Sequence, residues 1–375
     1  MRILTVIGAR PQIIKSAAIS RAIANRFSDK IEEKILHTGQ HYDANMSQVF
    51  FDELGIPQPH YNLGVGSGRH GEQTAKMIGG IEDVLLKESF DGVILYGDTN
   101  STLAGAVAAA KLHIPVFHIE AGLRSFNMAM PEEINRIVCD QIASICFAPT
   151  QTAIDNLNHE GFCDSKATFL NGKYRLVCNS GDVMYDNSVY FAHMAETRCN
   201  ILERLHLMPN GYILSTIHRD NNTDNPDRLA AILNALADIA DRDSIPVVLP
   251  LHPRTRNIIE QKQRALLPLL SRLTVIPPAS FLEMTLLEKN ARMVMTDSGG
   301  VQKEAFFFEK PCVILRPETE WVEIVDHGAG IIADADYQRI VNGYQHLAGR
   351  KVHFPPLFGD AHAAEKILQT IMDYQ

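Results

Sequence analysis

Two doubly wound α/β domains of Rossmann type are expected, and three observations lead there. The chain has 375 residues, 46% of them hydrophobic, which is more than a single core usually serves. Short apolar runs alternate with longer helical stretches, the signature of βαβ units. The alternation then restarts after residue 180. Strands this apolar and spaced by helices belong in parallel sheets covered on both faces.

In the first half, Arg2 to Ile7 reads as a strand and Ile13 to Phe27 as a helix with Ile14, Ala17, Ala18 and Ala22 inward. Lys34 to His37, Gly92 to Tyr96, Pro115 to Ile119 and Ser144 to Ala148 read as further strands, with an Ala-rich helix from Ser101 to His113. In the second half the strands are Tyr212 to Ser215, Pro246 to Leu249, Leu273 to Ile276, Arg292 to Met295 and Cys312 to Leu315. Helices are expected over Pro226 to Asp241, Phe281 to Asn290 and Val301 to Phe308. The boundary falls near residues 175 to 185. This gives an N-terminal domain over 1–180, a C-terminal domain over 181–355, and a last segment, 356–375, whose helix packs back on the first domain. In such folds ligands bind beyond the C-terminal ends of the strands. Two such edges facing each other would form a cleft.

Charge and cysteine content narrow the function. Lys plus Arg number 35 against 44 Asp plus Glu, a formal charge of -9, so no nucleic-acid partner is expected. The N-terminus enters a strand and turn at once, unlike a secretion signal. No apolar run reaches the roughly 18 residues of a membrane span. Cys139, Cys146, Cys163, Cys178, Cys199 and Cys312 form no CxxC pair and no zinc spacing. They read as reduced cysteines of a cytoplasmic protein, and no metal or other cofactor is expected.

Polar residues gather just after the strands. Gly8-Ala9-Arg10-Pro11-Gln12 and Lys15 place two cations at a helix start, where free N–H groups favour an anion. A solvated helix start would use the same residues. The segment is not the GxGxxG dinucleotide fingerprint, so NAD is not implied. Gly97-Asp98-Thr99-Asn100-Ser101 follows the next strand; there Asp98 is either a cap, as Ser101 could be, or a carboxylate at the site. His118-Ile119-Glu120-Ala121-Gly122-Leu123-Arg124-Ser125 puts Glu120 at a strand exit. In Pro131-Glu132-Glu133-Ile134-Asn135-Arg136, Glu132 and Arg136 are four residues apart and share a helix face, as a salt bridge would require. Gathering Asp98, Glu120 and Glu132 would need cations or shared protons, a known way to separate an acid from a base.

The second half supplies His218-Arg219 and His252-Pro253-Arg254 after strands. Thr296-Asp297-Ser298-Gly299-Gly300-Val301-Gln302-Lys303-Glu304 then opens a helix whose N–H groups can hold phosphate, with Ser298, Gly299 and Gly300 allowing close approach. Glu304, one turn on, can accept from two vicinal ribose hydroxyls. A simple capped helix is the plainer reading. Arg316 and Glu320-Trp321 follow the next strand, and Trp321 suits a core as well as a site.

Together these motifs resemble the non-hydrolysing UDP-N-acetylglucosamine 2-epimerases. The resemblance rests on GARPQIIK at 8–15, GDTNSTLA at 97–104, HIEAGLRS at 118–125, PEEINR at 131–136 and TDSGGVQKE at 296–304, in the same order. It implies a two-domain fold like the GT-B glycosyltransferases, no redox cofactor, a homodimer, and UDP held in an interdomain cleft. It also implies that Asp98, Glu120 and Glu132 are the acid–base groups, with Lys15, Arg136 and His218 catalytic. Arg10, Ser298, Gly299, Gly300 and Glu304 would hold UDP, joined by the basic candidates His252, Arg254 and Arg316. The implied reaction eliminates UDP with the C2 proton and re-adds it with protonation on the opposite face. Which carboxylate is base and which acid stays open.

Three departures set the sequence apart from the simple N-acetylglucosamine enzymes. Tyr42 follows Gln40-His41 where an arginine is usual, GARPQ replaces GTRPE, and TEWVE at 319–323 replaces TERPE. These resemble the branch acting on UDP-2,3-diacetamido-2,3-dideoxy-uronates, or on related surface-polysaccharide precursors, in which Gln12 would remove a negative charge near a sugar carboxylate. Tyr42 also puts the activating second-substrate site of the simple enzymes in doubt. Residues 169–176 look like a small insertion before Gly181-Asp182. A UDP-sugar glycosyltransferase, a hydrolysing epimerase and a non-catalytic UDP-sugar sensor remain the competing readings.

Overall fold

The computed structural model describes residues 1–39, 55–162 and 168–374. They divide into two compact units, one of residues 1–187 and 357–375, the other of 188–356. Each is a Rossmann-like α/β domain built on one parallel sheet.

The first sheet contains β1 (Arg2–Ile7), β2 (Glu32–His37), β3 (Tyr61–Asn62), β4 (Gly92–Tyr96), β5 (Val116–Ile119), β6 (Ile145–Ala148) and β9 (Leu176–Asn179). Its order is β3-β2-β1-β4-β5-β6-β9, parallel throughout. Its helices are α1 (Arg10–Ala22), α2 (His70–Lys87), α3 (Asn100–Lys111), α4 (Pro131–Ile142) and α5 (Gln151–His159). α1 is shorter than its apolar periodicity suggests, because Ile23–Phe27 continues it as a π-turn. α2 buries Met77, Ile81, Val84 and Leu85 at the helical spacing of an inward stripe.

The stretch that looks like an insertion has two parts. β7 (Thr168–Leu170) and β8 (Lys173–Tyr174) form an antiparallel hairpin, while Leu176 begins the edge strand β9, paired in parallel with β6. Only the hairpin is additional to the sheet. A long helix, α6 (Val183–Arg198), contains the junction at 187/188.

The second sheet runs β12-β11-β10-β13-β14-β15, again parallel. Its strands are β10 (Ile213–Thr216), β11 (Val247–Pro250), β12 (Thr274–Ile276), β13 (Met293–Thr296), β14 (Cys312–Ile314) and β15 (Gly330–Ile332). The longer helices are α7 (Pro226–Asp243), α8 (Pro253–Lys262), α9 (Phe281–Asn290), α10 (Gly299–Phe307) and α11 (Tyr337–Ala348). Leu229, Ile232, Leu236 and Ile239 of α7 meet Ile340, Tyr344 and Leu347 of α11 in one core cluster on this sheet. The final helix, α12 (Ala363–Asp373), belongs to the first unit. Both carboxylate oxygens of Asp186 accept N–H bonds at its start, from Ala363 at 3.0 Å and Ala364 at 2.8 Å, satisfying two donors that lack helical partners.

Both sheets reverse direction of growth at one place, between β1 and β4 and between β10 and β13. That reversal leaves a crevice at the carboxyl ends of the strands, the usual ligand position in an open parallel sheet. The residues after β1, β4, β10 and β13 include most of the site candidates.

Among the described residues no helix is long and apolar enough to cross a membrane. No group of three or more His, Cys, Asp or Glu among them could hold a metal ion.

Candidate active site

In the first unit, β1 and β4 deliver Gly8 and Gly97 to the reversal point. A Cβ at Gly8 would overlap Ser101 Oγ and Thr38 Oγ1, so only glycine lets the turn lie against α3. Gly97 has φ +62°, and a Cβ there would sit 3.0 Å from Glu120 Oε2 and 3.2 Å from Lys15 Nζ. Gly97 therefore makes room for the Lys15–Glu120 ion pair directly before Asp98. Glu120 itself has φ +72°, a left-handed conformation that a side-chain-bearing residue adopts at a cost of order 1–3 kcal/mol. The turn aims its carboxylate back over the end of β4.

Asp98 accepts from Arg136 Nη2 at 2.6 Å, and Asn135 Nδ2 holds the Asp98 carbonyl at 2.8 Å. The helix α3 is capped by neither Asp98 nor Ser101. Thr99 is its N-cap, accepting from Thr102 N, which leaves the Asp98 carboxylate to the site. Asp98, Glu132, Asn135, Asn100, His70 and Gln73 line a cavity of about 300 Å³ within this unit.

Arg136 does not pair with Glu132. Its other partner is Glu133, at 2.7 Å, because the buried face of α4 carries Glu133, Asn135, Arg136 and Asp140 while Glu132 stands exposed at the cavity. Glu133 is 1% exposed and also accepts from the N–H groups of Ser125 and Phe126, both at 2.9 Å. Burial would raise its pKa, but those backbone bonds and Arg136 outweigh it and hold the carboxyl below its usual range. Glu133 is thus the brace of the 123–126 loop, and it takes the Arg136 ion pair that residue spacing offers to Glu132.

Gln12 is 1% exposed and does not face the cavity. Its Oε1 accepts from Gly8 N at 2.9 Å and Ala9 N at 3.2 Å, and its Nε2 donates to Tyr96 O and Thr102 Oγ1, each at 2.9 Å. It ties the β1–α1 turn to the β4 exit, so its neutrality serves the fold and not a sugar carboxylate. A glutamate could donate to the Tyr96 carbonyl only when protonated. Gln12→Glu is expected to lose about 1–3 kcal/mol of stability at neutral pH. The loss is smaller below the unfolded carboxyl pKa and grows as pH rises through the elevated folded value. Thermal unfolding of parent and variant at acidic and slightly alkaline pH checks this. Arg10 stands exposed at the start of α1. Tyr42, and with it the contrast at residues 40–43, lies outside the described residues.

In the second unit, Asp297 at the exit of β13 organises the site. It is 0% exposed and accepts from His218 N at 2.9 Å, Arg219 N at 3.0 Å and Asn222 Nδ2 at 3.0 Å. It thereby fastens the loop after β10 to the turn bearing Ser298. Crowding by protein lowers the His218 pKa, Asp297 pulls it up, and His252 pushes it down. Ser298 is the N-cap of α10. Next to it, a Cβ at Gly299 would lie 3.3 Å from Glu320 Oε2 and 3.6 Å from Arg316 Nη1. Arg316 grips Glu320 through both oxygens, at 3.0 and 3.1 Å. Gly300 and Glu304 lie on the same helix. Trp321 is buried, with Lys303 Nζ 4.2 Å above its ring, so it packs as core.

His252 caps α8, its Nδ1 accepting from Arg254 N at 3.2 Å. Arg254 bonds Asp220 and both oxygens of Asp224, which leaves it a poor candidate for phosphate. The structure therefore groups Lys15, Asp98, Glu120, Glu132 and Arg136 in one unit, and His218, Ser298, Gly299, Gly300, Glu304 and Arg316 in the other.

This arrangement has close relatives. The model of the UDP-N-acetylglucosamine 2-epimerase family matches residues 24–372. The chain belongs to the UDP-N-acetylglucosamine 2-epimerase family. The UDP-2,3-diacetamido-2,3-dideoxy-D-glucuronate 2-epimerase of Pseudomonas aeruginosa is 50% identical over 370 residues, 98% of this chain and 99% of that one. A UDP-N-acetylglucosamine 2-epimerase homolog of Methanococcus maripaludis is 44% identical, covering 99% of both chains. The crystal structure of the Methanocaldococcus jannaschii UDP-GlcNAc 2-epimerase, in complex with UDP-GlcNAc and UDP, superposes with a TM-score of 0.82 at 38% identity, covering 100% of both chains. As an epimerase of this family the protein is an enzyme of UDP-sugar chemistry, and the fold and order of motifs agree along its length.

Proposed function

We propose that the protein inverts C2 of a UDP-linked N-acetylamino sugar without hydrolysis, and that its own substrate is a 2,3-diacetamido-2,3-dideoxy-uronate. The observation that carries the reaction is the family match over 24–372, together with the carboxylates of Asp98 and Glu120 on either side of Gly97, each held by a cation. The finer substrate rests on the 50% identity to the Pseudomonas enzyme of that name and on the TEWVE segment. Gln12 no longer supports it, since its amide is spent on the fold.

In the elimination half-reaction a carboxylate takes the C2 proton as the C1–O bond breaks. The bond electrons leave on UDP and a C1–C2 double bond forms. In the return step a UDP oxygen attacks C1 and a carboxylic acid delivers a proton to the other face of C2. The C2 proton has no adjacent carbonyl, so its loss must be coupled to departure of UDP. Asp98, Glu120 and Glu132 are the proton carriers in this scheme. Arg136 and Lys15 keep Asp98 and Glu120 placed and balanced in charge. In the second unit His218, Arg316, Ser298, Gly299 and Gly300 would stabilise the diphosphate as it leaves, and Glu304 would take the ribose.

Proton NMR in D2O, with UDP-N-acetylglucosamine and then with the UDP-2,3-diacetamido glucuronate, tests both parts. The expected result is the C2 epimer carrying deuterium at C2, formed faster from the uronate. Free sugar plus UDP would replace this reading by hydrolysis. No deuterium uptake from either substrate, with UDP binding intact, would favour a transferase or sensor.

A further inference from the structure

Beneath Gly97 and Glu120 lies an imidazole sealed from solvent. His118 of β5 is 0% exposed, with Nε2 2.7 Å from the Gly97 carbonyl and Nδ1 2.7 Å from Asp140 Oδ1. A carbonyl oxygen can only accept, so Nε2 bears a hydrogen. Asp140, equally inaccessible, also receives Gly122 N at 3.1 Å and Arg124 Nη1 at 2.7 Å. Both of those donors fall on Oδ2, and the Arg124 guanidinium beside it keeps the carboxyl ionised, so Oδ1 accepts and Nδ1 donates as well. With both nitrogens donating, the ring is an imidazolium.

The balance of charges agrees. Burial disfavours the His118 cation, but Asp140, the Gly97 carbonyl and Glu120 outweigh it and raise its pKa. Burial likewise disfavours the Asp140 anion, and His118 and Arg124 reverse that and lower its pKa. The charged and titratable groups around the pair, among the described residues, are Asp140 from α4, Arg124 and its partner Glu160 beyond it, Glu120 with Lys15, Arg175, and the thiols of Cys139 and Cys146. Neither proton-transfer step proposed above uses His118.

We infer that His118 is a positioning residue for epimerisation: a permanent buried cation that fixes the Gly97 carbonyl, and so the aim of Asp98, while placing positive potential beneath Glu120. This rests on the proposed reaction and adds a residue to it. Gln is the informative replacement, because it is neutral and can donate to only one side of the bridge. His118→Gln is expected to lower kcat by about 10- to 100-fold with KM nearly unchanged. The acidic limb of kcat/KM against pH should move to higher pH, because a nearby positive charge favours an ionised carboxylate.

A merely structural role would lower stability without moving that limb. Ile81→Val, a buried change on α2 away from the site, provides the destabilised control with unchanged activity. Asp140→Asn removes the anion that keeps His118 charged, so the ring should lose its second proton as pH rises from about 6 to 8 and kcat should fall with it, which keeps the test available if the glutamine variant does not fold. In the unaltered protein, nitrogen NMR of labelled histidine should show one imidazole protonated on both nitrogens from about pH 6 to 8. A neutral tautomer there, or a folded variant with the parent's kcat and pH profile, overturns the inference. Absence of C2 exchange in the unaltered enzyme removes the reaction itself, a different failure.

Discussion

Glu120→Gln is expected to reduce turnover by about 10²- to 10⁴-fold, the range for losing a positioned acid or base, while UDP binding persists. The substitution keeps size and an oxygen that can still accept from Lys15, and the left-handed backbone at residue 120 is as open to glutamine as to glutamate. What disappears is a carboxylate able to take or return a proton. The competing explanation is the lost ion pair with Lys15, whose side chain is largely enclosed. Lys15→Met separates the two, for it removes the pair but leaves the carboxylate. If proton transfer is the main loss, Lys15→Met retains measurable deuterium exchange at C2 and Glu120→Gln does not. Equal loss in both would assign the effect to charge pairing. Normal turnover in Glu120→Gln would remove it from the acid–base set. UDP affinity serves as the internal control, because Ser298, Gly299, Gly300 and Glu304 belong to the other unit.

The sequence discloses the two-sheet plan because each strand is an apolar run followed at once by glycine or a polar residue, as at Tyr96-Gly97-Asp98 and Ile119-Glu120. A parallel sheet forces this pattern: its interior is covered on both faces, and its carboxyl edge is open. The direction of individual side chains is harder to read. Spacing pairs Glu132 with Arg136, yet Glu133 lies on the buried face because α4 packs an unusually polar side inward. Gln12 reads as a missing charge and proves to be a strut, since only the third dimension brings Tyr96 O and Thr102 to its amide. His118 and Asp140 are 22 residues apart, and no periodicity connects a strand residue with one on the following helix. α2 was open to detection, for Met77, Ile81, Val84 and Leu85 carry the helical period. The hairpin at 168–174 hides β9 behind it, because turn residues next to a short, half-polar strand resemble an insertion.

Asp297→Ala should be among the most destabilising single changes in the second unit, costing about 3–5 kcal/mol, the loss typical when a buried charged partner is removed. The carboxylate is enclosed and meets no cation among the bonds it makes. Its charge is balanced by N–H dipoles from His218, Arg219 and the Asn222 amide. Alanine would leave each of those donors without its acceptor, at about 1–3 kcal/mol apiece. The total falls short of the sum because the loop can relax and water can enter. Asp297→Asn should cost less, since the amide keeps one acceptor while presenting an N–H group to the remaining donors. The same bonds hold the His218 loop beside Ser298, so loss of stability and loss of UDP affinity should rise together, from asparagine to alanine. Denaturant unfolding followed by UDP titration measures both. A variant with parental stability but no turnover would make Asp297 a reacting group instead of a brace. Parental stability with parental affinity would mean that the loop after β10 holds its shape without it.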